Sequence, residues 1–131
     1  MEHQHKLEAH LKELIQGLWL PSETEAPWTV PTWKLEAVTA DQIRQGLRRE
    51  QTAPVNEIRP ETLMAQVNNR CRGYGAEGQA IAQQHRQLMD FLQTTCDRVQ
   101  VFRVGEVTVD IVVVGETDST HLILQTQSVE T

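Results

Sequence analysis

An α+β fold, specifically an α/β/α sandwich around a largely antiparallel central sheet, is predicted by three features of this sequence. The last third alternates with a period of two through three segments separated by turn signals. Two other stretches carry apolar stripes at helical spacing. The middle strand of the three is apolar on most of both faces, so it calls for helices on either side of the sheet. At 131 residues the chain has room for one core, and a single domain over 1–131 is expected. With 39% hydrophobic and 23% charged residues it is too apolar to stay disordered.

Leu7, Leu11, Leu14, Ile15 and Leu18 fall on one face of an amphipathic helix, which Gly17 and Pro21 stop. Leu20 to Pro27 (LPSETEAP) places two prolines around Ser22, Glu23, Thr24 and Glu25, a composition expected in an acidic surface loop. Trp28 to Leu35 is rich in strand formers, and Pro31 restricts the predicted strand to an edge or a bulge. Thr39 and Gln42 form a capping box for a short helix to about Gln51. A short strand over Ala53 to Ile58 follows, then a brief helix with Pro60 in its first turn and Asn68 and Asn69 at its end. Ile81, Leu88, Met89, Leu92 and Cys96 mark a long helix from Ala76 to about Thr95. Strands are predicted over Val99 to Val104, Val107 to Val114 and Thr120 to Ser128, with turns at Gly105-Glu106 and at Gly115 to Ser119.

Charge narrows the function classes. The net charge of −6 disfavours the nucleic-acid backbone as a direct partner, because such binding draws on clustered Lys and Arg. Residues 104–131 carry five acids (Glu106, Asp110, Glu116, Asp118, Glu130) and no Lys or Arg, whereas residues 44–103 hold nine of the twelve basic residues. A basic or metal-bearing partner suits such a chain better. The N-terminus lacks the basic and apolar regions of a signal peptide, no run is long enough to span a bilayer, and a cytoplasmic location is expected. Cys71 and Cys96 lie outside any CxxC pattern and are expected as reduced, partly buried thiols.

Several residue sets invite a chemical role. Gly73-Tyr-Gly75-Ala-Glu-Gly78 matches G-x-G-x-x-G, and with Arg70 and Arg72 it would make a phosphate- or nucleotide-binding segment, but a helix rather than a strand is expected before it, which favours a helix-to-helix connection. His3, His5 and His10 lack the i, i+3 or i, i+4 spacing that holds a metal on a helix. A thiol nucleophile at Cys71 or Cys96 would need His85 or His121 beside it. Asp110, inside the apolar central strand, is expected to be paired with an Arg if buried. Trp28 and Trp33 would face opposite sides of a regular strand, and Trp19 is placed to staple the end of the first helix. The chain ends within a few residues of a strand, so its terminal carboxylate would be held rather than frayed.

The segments LW-LPSETEAPWTVPTW and QVFRVGEVTVDIVVVGET, followed by the terminal VET, resemble the nuclease A inhibitor family of bacterial proteins. The resemblance implies a single α/β/α sandwich without catalysis or cofactor of its own, monomeric when free, that inhibits a sugar-non-specific, divalent-metal-dependent endonuclease. It further implies that Glu23, in the loop with Thr24 and Glu25, meets a nuclease arginine. Thr131 would approach the catalytic metal of the bound nuclease, the only metal contact implied, and Glu130 beside it, with Arg72 and Tyr74, is expected among the residues that bind the nuclease. Where the family has an acidic residue and a tryptophan before the long helix, this chain has Arg72 and Gly73, with Tyr74 next as the available aromatic. An Arg there opposes a basic cleft. Rival expectations are the nucleotide-binding segment over residues 70–78, a thiol enzyme, and an interaction protein that has lost inhibition.

Overall fold

The computed structural model of the chain describes residues 2–118 and 120–130. Its first element is helix α1 (Glu2–Leu14), which ends as Gly17 turns the chain at φ +72°. A short hairpin follows, with β1 (Trp19–Leu20) antiparallel to β2 (Ala26–Pro27). Next come α2 (Ala40–Leu47), β3 (Val55–Ile58), α3 (Pro60–Cys71), a 3-10 turn (Arg72–Tyr74) and the long α4 (Gly75–Thr95). Strands β4 (Arg98–Val104), β5 (Thr108–Glu116) and β6 (His121–Val129) close the chain as a meander. The main sheet has the order β3-β4-β5-β6 with every pairing antiparallel, so β4 and β5 lie inside.

Alternation along β5 sorts two cores, one on each face of the sheet. Val109, Ile111 and Val113 join Leu11, Ile15 and Leu18 near α1, Leu63 and Val67 of α3, and Leu88 and Leu92 of α4. Val112 and Val114 turn the other way, onto Phe102, Val104, Ile123 and Ile43 of α2. Three helices therefore cover one face, while α2 and the segment carrying Trp33, Leu35 and Val38 cover the other. The expected sandwich and the internal position of β5 both hold.

Several expected boundaries are corrected. Trp28 to Leu35 is not a strand: its backbone pairs with the sheet at one bridge, Thr29 to Gln125, whose paired N–H···O bonds measure 2.9 Å. Pro31 has no N–H with which to continue the ladder. The segment nevertheless places Trp28 in one core and Trp33 in the other, as a regular strand would have done. Helix α2 stops at Leu47 rather than near Gln51, because Arg48 takes the left-handed conformation at φ 58°. Thr39 caps it by accepting from the Gln42 N–H, but the Gln42 amide oxygen accepts from the Glu36 and Ala37 N–H groups instead of closing the box on Thr39. Helix α3 runs past Asn68 and Asn69 to Cys71, and Gly115 lies within β5 rather than in the following turn.

Candidate functional site

The hairpin tip between β1 and β2 is built by Ser22. Its hydroxyl donates to the Thr24 carbonyl (2.7 Å) and accepts from the Thr24 N–H (3.2 Å) and the Val129 N–H (3.4 Å). That uses its one donor and two lone pairs, and it ties the tip to the end of β6, 107 residues along the chain. On its N-terminal side, the Pro21 carbonyl accepts from Arg70 Nη1 at 3.0 Å. On its C-terminal side, Thr126 Oγ1 donates toward the carbonyls of Ala26 (3.1 Å) and Pro27 (2.9 Å). The Glu23, Thr24 and Glu25 side chains project from this braced tip as exposed groups. The loop is thus on the surface as expected, except that Leu20 and Pro21 at its base are buried.

The opposite wall is the end of β6. Glu130 accepts from Arg103 Nη2, lies 3.6 Å from Arg70 Nη2 and accepts from Ser128 Oγ at 2.9 Å. The hydrogen bond from Arg103 is the main reason its carboxyl is held below the usual range, partial desolvation opposing and Ser128 and the two guanidinium charges assisting. The side chain of Glu130, expected among the nuclease-binding residues, is held by three groups of its own chain and stays 29% exposed. Thr131 lies outside the described residues.

Between tip and tail lies an open cleft of about 410 Å³, lined by Pro21, Ser22, Glu23, Arg70, Tyr74, Val129 and Glu130. Tyr74, 37% exposed, sits with its ring edge-on to Trp19 at a centroid distance of 5.3 Å. Trp19, placed by the sequence to staple the end of the first helix, packs on the core that holds Leu11, Ile15 and Leu18 and also meets the 3-10 turn. Arg72 is exposed on a different cleft, with Asn68, Gly75 and Gln79. The structure brings together Glu23, Tyr74 and Glu130, with Thr24 and Glu25 on the same tip, and leaves Arg72 apart. Arg70 and Arg103, which hold Glu130, were not anticipated as parts of this arrangement. No local motif signals them, since the three residues come from α3, β4 and the end of the chain.

The rival candidates resolve into packing. Arg70 faces Pro21 and Glu130 while Arg72 faces away, so the two do not converge on one anion. Gly75 takes φ +61°, and a Cβ at Gly78 would lie 2.0 Å from the Cys71 carbonyl oxygen, so these glycines serve the α3–α4 junction. Cys71 and Cys96 are buried free thiols; burial raises both, Cys96 to about 11, with the Asp97 charge adding to it. Burial thus disfavours the thiolate form of both. His85 is buried against Trp28 and Ile81. Asp110 is paired with Arg49 at 3.0 Å, as expected of a carboxylate in that strand. Among the described residues no cluster of His, Cys, Asp or Glu is placed to hold a metal, and no helix is long and apolar enough to cross a membrane.

Compared with known proteins, residues 5–131 match a family model described as nuclease A inhibitor-like protein. No curated protein matches the chain at a significant level.

Proposed function

This chain belongs to the nuclease A inhibitor-like family, and on that premise we propose that it is a non-catalytic, cytoplasmic inhibitor of a sugar-non-specific, metal-dependent endonuclease. It acts by placing the hairpin tip and the C-terminal residue in the basic cleft of that enzyme. The observation that carries this reading is the join between tip and tail, the Val129 N–H to Ser22 Oγ bond beside a cleft shared by Glu23 and Glu130. Two chain segments far apart in sequence form one edge, and net charge −6 favours approach to a cleft built for phosphates.

Each group then has a role. Glu23, with Thr24 and Glu25 beside it, supplies carboxylate oxygens to a nuclease guanidinium, a charge-assisted contact that gains strength as water leaves. Tyr74, against Trp19, offers an aromatic surface on the cleft wall in place of the family's tryptophan. Glu130 works inside its own chain: the grip of Arg103, Arg70 and Ser128 holds the end of the segment that precedes Thr131. Thr131 then directs its carboxylate and hydroxyl to the metal of the bound nuclease. Preorganised groups lose little freedom on binding, and inhibition gains accordingly.

The test is titration of nuclease A with the intact chain, with Glu23→Ala and with a chain lacking Thr131. Intact protein is expected to inhibit at near-stoichiometric ratio. Each variant is expected to bind weaker by about 2 to 5 kcal/mol, because its loss leaves a desolvated charge on the nuclease without a partner. Equal inhibition by all three, or by none, contradicts the proposal.

A further inference from the structure

Val107 is the most exposed large hydrophobic side chain among the described residues, at 56%, yet its turn is anchored through the backbone. Its carbonyl accepts from the Glu130 N–H at 2.8 Å, next to the cleft between tip and tail. On either side, the Gly105 N–H donates to the Pro54 carbonyl (3.0 Å) and Arg49 Nη1 donates to the Thr108 carbonyl (3.2 Å). Gly105 takes φ +110°, and a Cβ there would lie 2.5 Å from an Arg49 guanidinium nitrogen, so only glycine lets Arg49 brace the turn. An isolated exposed valine is unremarkable. This one is carried on a rigid turn, with Glu106 before it, bonded to the segment that delivers the C-terminus.

We infer that turn 105–107 is a third contact element of the nuclease-binding edge, with Val107 as its apolar contact; this rests on the inhibitor function proposed above. The occupant is the rim of the same basic cleft. Three observations select it: the surface is continuous with the tail through the Val107 to Glu130 bond, its charged member Glu106 has the sign that suits a basic rim, and the turn is preorganised. Tyr74 and Val107 then both adjoin Glu130, Tyr74 through the cleft the two share and Val107 through the Glu130 backbone. Apolar contacts beside the desolvated charges exclude water and strengthen them.

Val107→Ser tests this, because it removes the apolar surface without adding charge at an exposed site. The inhibition constant against nuclease A is expected to rise on the order of tenfold, with an unchanged melting temperature. That rise should persist at about 0.5 M salt, where a screened electrostatic effect fades. Glu23→Ala, measured alongside, separates the two levels of failure. If Glu23→Ala loses inhibition while Val107→Ser inhibits like the intact chain, the inhibitor function stands and turn 105–107 is not a contact. If the intact chain leaves nuclease A fully active, both are overturned.

Discussion

Trp28 and His85 fix one protonation state between them. Trp28 Nε1 donates to His85 Nε2 at 2.9 Å, so that nitrogen must be bare, and Nδ1 carries the hydrogen toward the Ile81 carbonyl at 2.9 Å. Burial holds the imidazole below its usual range, the Ile81 bond opposing only in part. The folded chain therefore takes up this proton less readily than the unfolded one. Its contribution is complete above the ordinary imidazole value of about 6.5 and is lost as pH falls toward the folded value. The melting temperature is expected to drop from pH 7 to pH 5 more steeply in the intact protein than in His85→Gln; parallel slopes would contradict it. Glu130 follows the same sign at lower pH, its stabilisation present above the ordinary carboxyl range and lost on further acidification. Glu130→Gln is expected to weaken inhibition of nuclease A severalfold while leaving the nuclease-facing groups chemically intact, measured as a faster dissociation rate. The sequence showed Glu130 as an acid near the terminus but not as an internal anchor, because Arg70 and Arg103 come beside it only when α3 and β4 have packed.

Helix α4 and the meander were readable in the residues, since each keeps its period over many positions and each has one apolar face or more to bury. The segment after β2 was not. Its composition suits a strand, but it covers both faces of the sheet edge through Trp28 and Trp33 and makes a single bridge to β6. The Trp33 ring in turn packs on α2, where a Cβ at Gly46 would lie 2.3 Å from it. The glycines of residues 73–78 divide in the same physical way. Gly78→Ala is expected to destabilise by about 1 to 3 kcal/mol in chemical denaturation, because a backbone carbonyl blocks the added methyl, whereas Gly73→Ala has open space and should be near neutral. Comparable losses from both would refute the junction role. Arg72, on the neighbouring turn but off the cleft, is expected to act at a distance only. Arg72→Asp should speed association with nuclease A a fewfold at low salt and lose that advantage at high salt.

Taken whole, the molecule is a lopsided sandwich, three helices on one face of the sheet and α2 with a loop on the other. Its β6 edge is closed by the hairpin and by Thr29. That closure is what brings residues 22–25 against residues 129–130, and alternation alone could not reveal it, since it depends on tertiary bonds such as Arg70 to Pro21 and Val129 to Ser22. The acidity of the C-terminal third and of the loop was visible from the start; their meeting was not. If this joined edge fills the cleft where nucleic acid binds, inhibitor and substrate must exclude one another. The most direct measurement is displacement of a fluorescent oligonucleotide from nuclease A by the intact chain, followed by anisotropy. Complete displacement at one chain per nuclease, weakened by Glu23→Ala, is expected; an oligonucleotide that stays bound while the chain also binds would contradict it.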